Sequence, residues 1–85
     1  MRIRIVLGYN KDPEENWLKY YKKEGWLHNK YFEAIYYDTE MPFMPHEGQR
    51  LSVKNQLKIV SYACYQVYEE YDGFDGVTMI YVKDE

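Results

Sequence analysis

The sequence predicts an α+β domain that is mainly β: a small five-stranded antiparallel barrel, or a strongly bent sheet, with one inserted helix. Three observations carry this. Short alternating or β-branched runs recur along the chain. Eleven tyrosines, two tryptophans and three phenylalanines stand among its 85 residues. Only one stretch has both a helical start and a helical stop. Aromatic and β-branched side chains suit a pleated, half-buried surface. A chain this short forms one domain, residues 1–85, and buries only about 60–65% of its unfolded surface, so large rings are an effective source of core area.

Residues 2–9 place Ile3, Ile5, Leu7 and Tyr9 on one side and Arg2 and Arg4 on the other, the period-2 pattern of a half-buried strand. Asp12 then suits a helix cap, Pro13 a first helical position, and Glu15, three residues after the cap, the acid of a capping box. Trp17, Leu18 and Tyr21 follow at helical spacing and Gly25 supplies a stop, so a helix over residues 13–24 is expected. The competing reading makes residues 17–21 a strand. Residues 31–37 are aromatic and β-branched enough for a second strand.

Two prolines and a glycine within residues 41–48 exclude both a helix and a central strand there, leaving an ordered crossing loop with Phe43 as its expected anchor. Residues 50–54 alternate with Leu51 and Val53 inward. A tight turn at Asn55 and Gln56 leads into a long strand over residues 57–68, and the glycine-bearing segment 72–76 leads into a last strand over residues 77–82. These three runs read as a meander. Alternation in the long strand would place Ile59, Ser61, Ala63 and Tyr65 opposite Val60, Tyr62, Cys64 and Gln66, with tyrosine on both faces.

Charge is uneven. Residues 1–60 carry ten basic against eight acidic side chains, whereas residues 61–85 carry Lys83 against six acids. Glu69, Glu70, Asp72 and Asp75 would repel a phosphate backbone, so duplex DNA is not an expected partner. They form either a solvated hairpin end or a rim for a basic partner. Cys64 is the only cysteine, which excludes an internal disulfide and a multi-thiolate zinc site and points to a reducing, cytoplasmic setting. No apolar run approaches the ~20 residues that span a bilayer, and the first residues alternate rather than forming a leader core, so the expectation is a soluble, unprocessed protein.

The stretch Met41-Pro42-Phe43-Met44-Pro45-His46-Glu47-Gly48-Gln49-Arg50-Leu51-Ser52-Val53, with Leu57-Lys58-Ile59-Val60 and the closing Val77-Thr78-Met79-Ile80-Tyr81-Val82, resembles a Pro-Phe-x-Pro-x-x-Gly-(Asp)-x-(Ile/Leu) pattern. That pattern belongs to small SH3-like barrel proteins of phages and bacterial mobile elements. The resemblance covers residues 41–82, with Gln49 where an acid is frequent and with the helix and the Trp17-to-Trp26 insert as additions. It implies an SH3-like barrel. It also implies a phage-type accessory protein that binds and blocks a host or defence protein.

Little chemistry is spelled out. His28, His46 and Cys64 lie far apart without ligand spacing, and neither a phosphate loop, a nucleophile elbow nor a calcium loop is present. No metal, cofactor or catalytic residue is expected. The aromatics therefore carry the functional reading: Trp17, Tyr20, Tyr21 and Trp26 as partner-binding anchors, with Glu69 and Glu70 as a charged rim. The alternative is a barrel that binds a nucleotide or single-stranded nucleic acid, its rings stacking on bases while Arg2, Arg4, Arg50 and Lys54 meet phosphates. A third possibility is a homodimer paired through the edge of the strand over residues 57–68.

Overall fold

The computed structural model describes residues 2–66 and 77–84. Six strands and one helix follow in the order β1 (Arg2–Gly8), α1 (Glu15–Lys23), β2 (Leu27–Asn29), β3 (Ala34–Glu40), β4 (Arg50–Val53), β5 (Gln56–Gln66) and β6 (Val77–Asp84). They form one sheet in the order β2-β3-β1-β6-β5-β4. β1 pairs antiparallel with β3 and parallel with β6. This parallel pair joins an amino-terminal half-sheet to the expected β4-β5-β6 meander, so the sheet is mixed. It is open, with β2 and β4 as its edges, and the expected closed, five-stranded antiparallel barrel is not what the chain forms.

The register sorts the side chains onto two faces. Ile3, Ile5 and Leu7 stand opposite Thr39, Tyr37 and Ile35 on one side and, for the first two, opposite Thr78 and Ile80 on the other. Together with Val60, Val82, Leu51 and Val53 they line the covered face, where Tyr21 and Trp26 complete the buried core. Trp17 and Leu18 of α1 pack against it, as do Met41 and Met44.

α1 begins later than the caps suggested. Glu14, not Asp12, is the N-cap, and it makes no side-chain capping bond. The other end is as legible as expected. Gly25 takes φ +99°, its N–H donates to the Lys22 carbonyl at 3.1 Å, and the Trp26 N–H donates to Tyr21 at 3.0 Å. This bonding pattern closes a helix and brings the residue after glycine onto the last turn. Here those residues are Trp26 and Tyr21, whose rings meet edge to face at 5.6 Å.

The expected strand over residues 31–37 is displaced. Residues 30–33 instead form a turn between β2, which sequence reasoning missed, and β3. The Asn29 side chain accepts from the Phe32 N–H at 3.2 Å, the Glu33 N–H donates to the Lys30 carbonyl at 3.2 Å, and Glu33 sits at φ +51°. An asparagine that binds its own backbone outcompetes the strand preference of the two rings after it.

The β4–β5 turn falls on Lys54 and Asn55, both at positive φ, rather than on Asn55 and Gln56. Such a two-residue turn matches strand twist. Leu51 and Val53 point inward as expected. In β5 the register slips between Val60 and Tyr62, so Ser61 bulges and strict alternation fails beyond Val60. Ala63, opposite Ile80, lies on the covered face and Tyr62, opposite Tyr81, on the other.

The proline segment is an ordered arc, but Phe43 is exposed and Pro45 is the residue buried beneath it. The Gly48 N–H donates to the Val60 carbonyl at 2.8 Å and the Val60 N–H to the Gln49 carbonyl at 2.9 Å, which ties the arc to β5. β5 is flanked by β4 over residues 56–59 and by β6 over residues 58–66, so of the strand expected to pair at an edge, residues 58–59 lie between two strands, whereas residues 62–66 pair with β6 alone among the described strands.

Candidate functional site

The four expected aromatic anchors divide by burial. Tyr21 and Trp26 are 5% and 3% exposed and belong to the core, so neither ring offers a partner any surface. Trp17 is partly buried, its ring 4.7 Å from that of Tyr21 and 5.9 Å from that of Tyr9. Tyr20 is exposed at the helix surface, where its hydroxyl accepts from Gln56 Nε2 at 2.5 Å. Glu69 and Glu70 lie outside the described residues.

Sequence reasoning passed over a second aromatic group at the end of the molecule where β1 leaves the sheet. Tyr9 donates its backbone N–H to the Glu33 carbonyl at 2.9 Å, which joins the segment after β1 to the turn at residues 30–33. Its hydroxyl is hydrogen bonded to His28 Nε2 at 2.7 Å. Loss of water, together with the nearby charges of Glu33 and Asp12, holds that hydroxyl above the usual tyrosine range. Trp17 meets Tyr9 nearly edge on, at an interplanar angle of 79°. Between them opens a shallow cleft of about 440 Å³ that includes Asp12, Pro13 and Glu14 in its walls.

Beside this cleft the turn presents Tyr31 and Phe32, 88% and 71% exposed. Their rings stand perpendicular with centroids 5.0 Å apart. Two adjacent aromatic side chains so fully in water give up the burial that ordinarily repays their presence. The turn that displays them is nevertheless held by Asn29, Lys30 and the Tyr9–Glu33 bond. The signal was readable as Asn29-Lys30-Tyr31-Phe32-Glu33, once the asparagine is given more weight than the rings.

The other face of the sheet carries a third aromatic feature. The register lines up Leu27, Tyr36, Val6, Tyr81 and Tyr62 across five adjacent strands. Tyr62 and Tyr81 stack with centroids 4.3 Å apart and planes within 15°. Next to the row, Arg4 lies 4.6 Å over the Tyr36 ring and binds both carboxylate oxygens of Asp38, at 2.8 and 3.1 Å.

Of the four basic residues that the stacking alternative relied on, Arg2, Arg4 and Arg50 fall by register on this face. Lys54 does not; its ammonium lies 4.9 Å over Tyr37.

Among the described residues no group of three histidine, cysteine or acidic side chains converges as a metal site would require, and no helix is long and apolar enough to cross a membrane. No known protein family, curated protein or solved structure matches this chain.

Proposed function

We propose that the chain is a non-catalytic protein-interaction module, of the phage-type inhibitor kind that binds and blocks a host or defence protein. Its contact surface is the end of the molecule formed by Tyr31, Phe32 and the Tyr9–Trp17 cleft, with Tyr20 at the margin. The observation that carries this reading is the exposure of Tyr31 and Phe32 on a turn fixed by Asn29 and Tyr9. Aromatic rings supply large contact area at low entropy cost, and a pre-ordered display lowers that cost further. Relative to the sequence-level expectation, Tyr20 remains on the surface and the partly buried Trp17 lines the cleft, while the burial of Tyr21 and Trp26 moves the anchor role to Tyr31 and Phe32.

The test is capture from nuclease-treated bacterial lysate by the wild-type protein and by the Tyr31→Ala/Phe32→Ala variant. A protein held in stoichiometric amount by the first and lost from the second supports the reading. Equal recovery by both overturns it.

A second reading, binding of a nucleotide or single-stranded nucleic acid, is favoured by the row of Tyr36, Tyr81 and Tyr62 beside Arg2, Arg4 and Arg50. Bases stack on such rings and phosphates meet arginine. Its affinity for an oligonucleotide would fall steeply as salt rises.

A further inference from the structure

We propose that the cleft between β1 and α1 binds an alkylammonium group: the side chain of a lysine on the partner protein. The inference rests on the protein-interaction reading and names what one part of that surface takes.

The rings of Tyr9 and Trp17 set the corner of the cleft at 5.9 Å and 79°. A ring face attracts a cation through its quadrupole, tryptophan most strongly. Pro13 adds an apolar wall against which the methylene stem of a lysine can lie.

Charge favours the same occupant. Asp12 and Glu14 stand in the walls against Lys11, and Glu33 is fastened to Tyr9 by the backbone bond at 2.9 Å. Loss of water, and after it the Glu33 and Asp12 charges, make the Tyr9 hydroxyl harder to ionise. Loss of water disfavours any charge, but the two carboxylates that oppose a phenolate favour an ammonium beside them. The hydrogen bond to His28 at 2.7 Å holds the Tyr9 ring in position, so the corner exists before a ligand arrives. A neutral apolar side chain would gain the ring contacts but nothing from the carboxylates.

The test titrates the isolated protein with N-acetyl-lysine amide, its trimethylated form and N-acetyl-norleucine amide, followed through the Trp17 indole N–H and the amides of residues 10–14 by NMR. Saturable shifts with dissociation constants on the order of millimolar are expected for both lysine compounds, with norleucine about tenfold weaker. Asp12→Asn/Glu14→Gln should weaken lysine binding about threefold or more. Trp17→Phe, which keeps a packed ring, should weaken it without unfolding the protein.

Equal affinity for lysine and norleucine would make the cleft an apolar site and overturn the proposal. Absence of any Trp17 shift with the lysine compounds would do the same. Neither result bears on partner capture through Tyr31 and Phe32, which is read with different variants and no probe.

Discussion

Lys58 and Tyr21 meet inside the core: the lysine, 1% exposed, donates from Nζ to the tyrosine hydroxyl at 3.0 Å. Its second partner is the Asp84 carboxylate. A buried ammonium is costly unless paired and bonded, and this pairing also accounts for Tyr21 as a core residue. Its phenol end needs a polar partner, and Lys58 of the facing strand provides one.

The first prediction concerns that pair. Burial works against the Lys58 charge, but the bonds to Asp84 and Tyr21 outweigh it and raise Lys58 above its ordinary value of 10.5. A folded-state value above the unfolded one means that the contribution is complete below the unfolded pKa and disappears as pH rises through the folded pKa. Urea unfolding of wild type against Lys58→Met should therefore show a difference that is constant through neutral pH and changes only above about pH 10.

Tyr21→Phe removes an acceptor from a buried charge and should cost about 1–2 kcal/mol. The double variant Lys58→Met/Tyr21→Phe, which leaves neither group unpaired, should be closer to wild type than the sum of the single changes. Exact additivity in denaturant midpoints would contradict the coupling.

Trp26 and Tyr20 separate core from surface. Trp26→Ala should destabilise by about 3–5 kcal/mol, as large-to-small changes at fully buried aromatics do. Tyr20→Ala should cost less than about 1 kcal/mol. Chemical denaturation of the two variants checks the ordering.

Gly25→Ala isolates a backbone effect. An added Cβ would meet only the end of the Lys54 side chain at 3.7 Å, an ordinary contact, but φ is +99°. The expected loss is about 1–2 kcal/mol from conformation alone, read as a lower thermal midpoint without a change in the circular dichroism of the folded state.

These residues also show what the sequence made legible and where it misled. The strand over residues 2–9, the helix stop at Gly25 and the inward Leu51 and Val53 follow from local periodicity and turn chemistry, which report directly on local structure. The burial of Trp26 was implicit in the same glycine stop, since the residue after it packs back on the helix.

What could not be read is non-local. The parallel pairing of β1 with β6 leaves no mark in either strand, and it turns an antiparallel barrel into an open mixed sheet. The Ser61 bulge brings Ala63 to the side of Val60 and leaves Tyr62 on the other. At Tyr31 and Phe32 the strand preference of the rings was followed where Asn29 decided the conformation, which hid the most exposed aromatic pair among the described residues.

The most direct measurement of the central claim compares the stability and the partner capture of Tyr31→Ala/Phe32→Ala with those of the wild type. Rings that serve only contact can be removed at little cost, so the variant should unfold within about 0.5 kcal/mol of wild type while losing the protein that the wild type retains from nuclease-treated lysate. A variant that captures the same protein equally well would place the contact surface elsewhere, and one that unfolds several kcal/mol earlier would show that Tyr31 and Phe32 support the fold.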